Sequence, residues 1–126
     1  AGLLYLVAMI ENQVVAFAYA LPYRPRPAYR YTVEHSIYVD RSWRRQGIGK
    51  QLLDRLVELL TGCGIREIIG IIGDSANEAS LLAHESAGFH QVGILQNVGR
   101  KFDRWLDTVI VQRSLSPSAT QAAEVQ

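Results

Sequence analysis

The chain opens on two apolar runs, residues 3–10 and 14–21, parted by the polar triplet Glu11-Asn12-Gln13. Two runs of strand length around a short polar break predict a β-hairpin. The second run alternates: Val15, Phe17, Tyr19 and Leu21 fall on one side, and Ala16, Ala18 and Ala20 on the other. The alanine side leaves room for a helix to lie close. Residues 22–30 hold Pro22, Pro25 and Pro27, with Arg24, Arg26, Arg30, Tyr23 and Tyr29 among them. Three prolines predict a stiff, non-helical loop carrying cations. Over residues 31–39, Tyr31, Val33, His35, Ile37 and Val39 alternate with Thr32, Glu34, Ser36 and Tyr38, a strand with one apolar and one polar face. Ile48, Leu52, Leu53, Leu56, Leu59 and Leu60 then recur at helical spacing, and Gly62 and Gly64 mark the end of that helix. The apolar run 65–72 reads as a buried strand, parallel to the preceding one by the crossover rule. Residues 77–87 form a short helix closed by Gly88, and 89–95 with 105–112 form an antiparallel pair. Residues 114–126 are polar, Ala/Ser-rich and patternless, and are expected to be a disordered tail behind a single domain over 1–113. The predicted order is β-β-β-α-β-α-β-β, an α+β domain with a mixed sheet.

Composition narrows the chemistry. The 126 residues are 48% hydrophobic and 20% charged, ordinary for one globular domain with a core. A net charge of +1 gives no bulk attraction to nucleic acid, so any anion must be bound locally. Cys63 is the sole cysteine, which excludes an intrachain disulfide framework, and no base is positioned to make it a nucleophile. No apolar stretch approaches bilayer-spanning length and no basic n-region opens the chain, so no membrane partner is expected and the cytoplasm is the expected setting. No cluster of His, Cys and carboxylate has metal-ligand spacing, so no metal is expected.

The local anion site is Arg44-Arg45-Gln46-Gly47-Ile48-Gly49, which leaves a strand and opens a helix. Free N–H groups and the positive end of the helix dipole meet there, and glycines without Cβ let a phosphate approach the backbone. Arg44 and Arg45 add forked donors. The P-loop pattern fails, because Gln51 rather than Ser or Thr follows Lys50. The dinucleotide fingerprint fails because Leu52 stands at its third glycine.

The spacing Val39-x-x-x-x-Arg44-x-x-Gly47-x-Gly49 resembles the coenzyme A pyrophosphate loop of the GCN5-related N-acetyltransferases. Residues 77–89 resemble that superfamily's second coenzyme-side helix. Residues 24–30, Thr32-Val33-Glu34 and 99–108 together resemble the phosphinothricin N-acetyltransferase group. The resemblance implies acetyl-coenzyme A as co-substrate, a small-molecule amine of amino-acid type as acceptor, and a homodimer. It also implies a strand and two helices ahead of the first hairpin. A chain that begins at Ala1 and enters an apolar run at once is therefore expected to be N-terminally incomplete, with part of the acceptor wall lacking. The first strand would then have an open edge.

Roles follow from that resemblance, each beside a plainer one. Arg44, Arg45, Gln46, Gly47, Ile48, Gly49 and Lys50 hold the pyrophosphate, or are an ordinary helix start. Ile37 and Val39 pair by backbone with the pantetheine arm, and also serve as core. Asn77 contacts the pantetheine or caps its helix. Glu34 is the general base that takes the amine proton, or a solvent-facing carboxylate. His84 is the acid that protonates the departing thiolate, or a helix-surface histidine. Arg26 and Tyr29 meet the acceptor's anionic group, or belong to a solvated loop. His35, on the apolar face, reads as a satisfied core histidine. The rival to an enzyme is a coenzyme-binding chain without catalysis.

Overall fold

Residues 4–73 and 78–115 are described by the structure, a computed structural model. The hairpin forms between β1 (Leu4–Ile10) and β2 (Gln13–Pro22). Its two-residue turn places Glu11 at φ 51° and Asn12 at φ 65°, both left-handed, the twist that suits a hairpin. Gln13 is not part of the turn but pairs with Ile10.

The alternation expected along β2 breaks once. Ala8 pairs with Ala16 and Met9 with Val14, so Val15 is an extra residue in a β-bulge. Val15 and Ala16 are consequently both buried, at 1% exposure, where the sequence pattern put them on opposite faces.

After a single 3-10 turn at Pro27–Tyr29, β3 (Thr32–Val39) pairs antiparallel with β2. The helix α1 (Ile48–Gly62) crosses over to β4 (Glu67–Ile72), which runs parallel to β3 as expected. The end of α1 is a Schellman cap. Gly64, at φ 82°, donates to Thr61, and Ile65 donates to Leu60. The helix α2 (Glu78–Ser86) closes on Gly88 in the same way, and Arg113 donates to the Ala87 carbonyl over its end.

The last two strands, β5 (His90–Lys101) and β6 (Arg104–Ser114), are longer than expected. Their turn is Phe102-Asp103, again with both φ positive. No Gly or Asn marks it, and residues 96–101 are mostly polar, so neither turn chemistry nor hydrophobicity announced the extension. The first two residues of the expected tail are ordered instead. Ser114 ends β6, and Leu115 is buried in the core. The rest of that segment lies outside the described residues.

The sheet order is β1-β2-β3-β4-β6-β5, mixed because only β3–β4 is parallel. Both helices pack on one face, where Val33, Leu53, Leu56, Ile68, Phe89, Val109 and Val111 form the core. The other face has no helix on it among the described residues. It carries a row of stacked rings, Tyr5, Phe17 and Tyr19, with Tyr38 5.6 Å from Phe17.

Candidate active site

The parallel pairing of β3 with β4 covers only Thr32–His35 against Glu67–Gly70. Beyond His35 the strands part. β3 stays with β2 while β4 stays with β6, so β3 offers an open edge from Ser36 to Val39. This opening adjoins a cavity of about 300 Å³, walled by the end of β3, the start of α1 and one side of α2.

The loop between β3 and α1 borders that cavity and is held in place by its own hydrogen bonds. Asp40 donates its N–H to Val15 O at 2.8 Å and accepts from Ser42 N–H at 2.9 Å. Arg44 donates Nε–H to Val39 O at 3.3 Å. Arg45 at φ 65° and Gly47 at φ 80° turn the chain sharply, and Gly47 gives the helix no side-chain cap. The first intrahelical bond runs from Gln51 N–H to Gly47 O, so the N–H groups of Ile48, Gly49 and Lys50 have no intrahelical acceptor. Arg44, Arg45 and Lys50 are on the wall, Lys50 paired with Asp54 at 2.7 Å, and this arrangement of free N–H groups and cations is chemically able to hold a phosphate or pyrophosphate.

Of the expected coenzyme residues, Ile37, Val39, Arg44, Arg45, Gly47, Gly49 and Lys50 line the cavity. Gln46 and Ile48 do not: Gln46 is exposed, and the Ile48 side chain packs inward beside Val15 and Leu52. Asn77 lies outside the described residues. The sequence reading missed Tyr38, Trp43, Leu53, Ala83 and Leu82, which also line it. Helical spacing could have found the α2 members, because residues 79, 83 and 86 share one helix side.

Glu34, Arg26 and Tyr29 are not on the cavity wall. Glu34 is half-buried on the opposite sheet face, in register with Leu21 and Ile69. Arg26 and Tyr29 are exposed, and Tyr29 stands edge-on to Tyr23.

His84 does line the cavity, yet it is only 1% exposed, which rules out a helix-surface histidine. Its Nδ1 lies 2.7 Å from Ser80 O and its Nε2 lies 3.1 Å from Nε2 of His35. Burial pushes the His84 pKa down, against the Ser80 bond, which raises it. Burial and then the neighbouring His84 push His35 down to about 3. His35 is a core residue as expected but not a satisfied one, since its Nδ1 has no partner among the described residues. No group of three or more metal-ligating side chains occurs among those residues either.

Residues 1–89 match the acetyltransferase (GNAT) family, and the chain belongs to it. Within that family it is 46% identical to the phosphinothricin N-acetyltransferase of Alcaligenes faecalis, over 98% of this chain and 63% of that protein. It is 39% identical to the L-methionine sulfoximine/L-methionine sulfone acetyltransferase of Pseudomonas aeruginosa, over 85% of this chain and 62% of that one. Among solved structures, a GNAT superfamily phosphinothricin acetyltransferase from Sinorhizobium meliloti, in complex with AcCoA, superposes with a TM-score of 0.82. That pair is 44% identical, covering 88% of this chain and 60% of the other. The chain thus spans about three fifths of the length of these relatives. The family and fold expected from the glycine loop are borne out.

Proposed function

We propose that this protein is an N-acetyltransferase that moves acetyl from acetyl-coenzyme A to the α-amine of a small amino-acid-like acceptor such as phosphinothricin or methionine sulfoximine. The observation that carries this is the phosphate cradle at Gly47–Lys50 opening directly onto the unpaired edge of β3. The N–H groups of residues 48–50 and the Arg44 and Arg45 side chains hold the pyrophosphate. The open backbone of Ile37 and Val39 accepts the pantetheine arm as an added strand, and N–H groups at that edge take the thioester oxygen.

The strand parting gives Glu34 its use. The coenzyme side and Glu34 lie on opposite faces of the sheet, and Glu34 sits in the last paired stretch, one residue before the strands part beyond His35. An amine entering from the bare face meets the thioester in the gap, its nitrogen bonds to the carbonyl carbon, and the carbon–sulfur bond breaks. Glu34 takes the proton the amine loses, directly or through water. Arg26 and Tyr29, at the foot of β3, meet the acceptor's anionic group.

The reading includes a homodimer and the cytoplasmic setting. The β5–β6 ribbon supports the former, with Phe102, Trp105 and Val98 exposed along it. The rival, coenzyme binding without catalysis, is favoured by the absence of Glu34 from the cavity wall.

Thiol release from acetyl-coenzyme A with methionine sulfoximine or phosphinothricin present tests the proposal. Acceptor-dependent release supports it, and binding without release supports the rival. Gly47→Asp places a carboxylate against the phosphates and is expected to abolish coenzyme binding by calorimetry. Equal affinity in both forms would remove the loop from the site.

A further inference from the structure

Two buried imidazoles meet between β3 and α2, and their hydrogens can be assigned. The Ser80 carbonyl oxygen can only accept, so Nδ1 of His84, 2.7 Å away, carries a hydrogen. A neutral imidazole carries one hydrogen, which leaves Nε2 of His84 a lone pair. The hydrogen in the 3.1 Å contact between the rings therefore belongs to Nε2 of His35. Nδ1 of His35 is then the lone pair: it makes no hydrogen bond to a described residue, and the nearby Ser36 backbone, which favours a hydrogen on this ring, is the least of the three influences on it. The opposite assignment would set the His84 Nδ1 lone pair against the lone pairs of Ser80 O. Burial favours the neutral form of both rings.

The surroundings fix the rings as well as the hydrogens. A Cβ on Gly70 would lie 2.7 Å from Nε2 of His35, so His35 occupies space that only glycine leaves on β4. Phe89 stands 5.3 Å from His35 and 5.1 Å from His84. Only His84 reaches the cavity wall.

We propose that His35 is a positioning residue for His84: its Nε2–H fills the second nitrogen of His84, so His84 faces the coenzyme cavity as a neutral ring of fixed orientation with no proton to give. This rests on the acetyltransferase reading of the cavity. It assigns the protonation of the departing thiolate to a group other than His84, contrary to the role expected from the family resemblance.

The test combines nitrogen spectra and kinetics. In the 15N-histidine-labelled protein, His35 is expected as the Nε2–H tautomer and His84 as the Nδ1–H tautomer, with exposed His90 as internal reference. His35→Phe removes the donor and His35→Gln keeps an N–H. His35→Phe leaves the His84 ring free to turn on the cavity wall, and the resulting misplacement of the thioester is expected to lower kcat about tenfold, the scale of one buried hydrogen bond. The KM for acetyl-coenzyme A should stay within about twofold, and His35→Gln should restore most of the rate. In a His84→Phe background the His35→Phe effect should vanish, because His35 acts only through His84. The same tautomer in both rings, or an equal loss in both backgrounds, overturns the proposal. If the wild type transfers no acetyl at all, the functional reading fails, while the spectra still decide the pairing.

Discussion

Gly70→Ala is a sharp probe of how the site is held. A Cβ there would stand 2.7 Å from His35 Nε2 and 2.9 Å from Val111 Cγ2. Ordinary contacts lie at about 3.5–4.0 Å, so the two neighbours must retreat by roughly 0.6–1.3 Å. Neither has room: His35 and Val111 are each 1% exposed, and His35 is tied to His84. Overpacking of this kind costs about 1–3 kcal/mol, and the reduced freedom of the unfolded chain returns about 0.4–1 kcal/mol. The net expectation is a loss of about 1–2 kcal/mol, or a Tm lower by roughly 4–8 °C for a chain of this size. Thermal unfolding followed by circular dichroism reads it. Gly62→Ala is the control, since a Cβ there meets nothing within 4 Å and helix propensity favours alanine. In a His35→Ser background the ring is gone, and Gly70→Ala should cost about 1 kcal/mol less. A Gly70→Ala protein that melts at or above the wild-type temperature would refute the argument. So would strict additivity with His35→Ser.

The buried pair also predicts acid sensitivity. The unfolded chain takes up protons near the ordinary histidine value of 6.5, the folded His35 only near pH 3, and His84 is shifted in the same direction. Stability is therefore full above pH 6.5 and declines as pH falls toward 3, by up to about 1.4 kcal/mol per pH unit for His35, with His84 adding in the same direction. Urea unfolding at stepped pH measures the slope, and a flat profile from pH 7 to 5 would contradict the burial. Glu34→Gln should keep coenzyme affinity and lose about two to four decades of transfer rate. An unchanged pH–rate profile in that variant would return Glu34 to the role of a strand carboxylate.

How far the sequence carried depends on the range over which each feature is encoded. The helix α1 and its glycine loop were legible because period, cap and spacing all sit within about twenty residues. The parting of β3 from β4 was not legible, since a parallel pair and a glycine loop say nothing of where the pairing ends. The His35–His84 contact joins positions 49 apart in sequence, and no local pattern announces it. A faint signal existed: a histidine on an apolar strand face, and a glycine within the next apolar run, each odd alone and explained only by the other. Val15 was misplaced because a bulge changes the period by one residue without changing composition. The long β5–β6 ribbon was missed because residues 96–101 are mostly polar and show no alternation of apolar and polar positions.

That bulge reaches further than its own strand. The carbonyl of Val15, the extra residue, is the acceptor for Asp40 N–H, which begins the phosphate-cradling loop. The position of the cradle is thus indexed to the length of β2, an element that contributes no residue to the cavity wall. Deleting a single residue near position 15 would leave every expected coenzyme-binding residue in the sequence, yet it would put the neighbouring strand out of phase with the loop. A motif search would still score such a chain as intact, although the anchor that aims its donors would be gone.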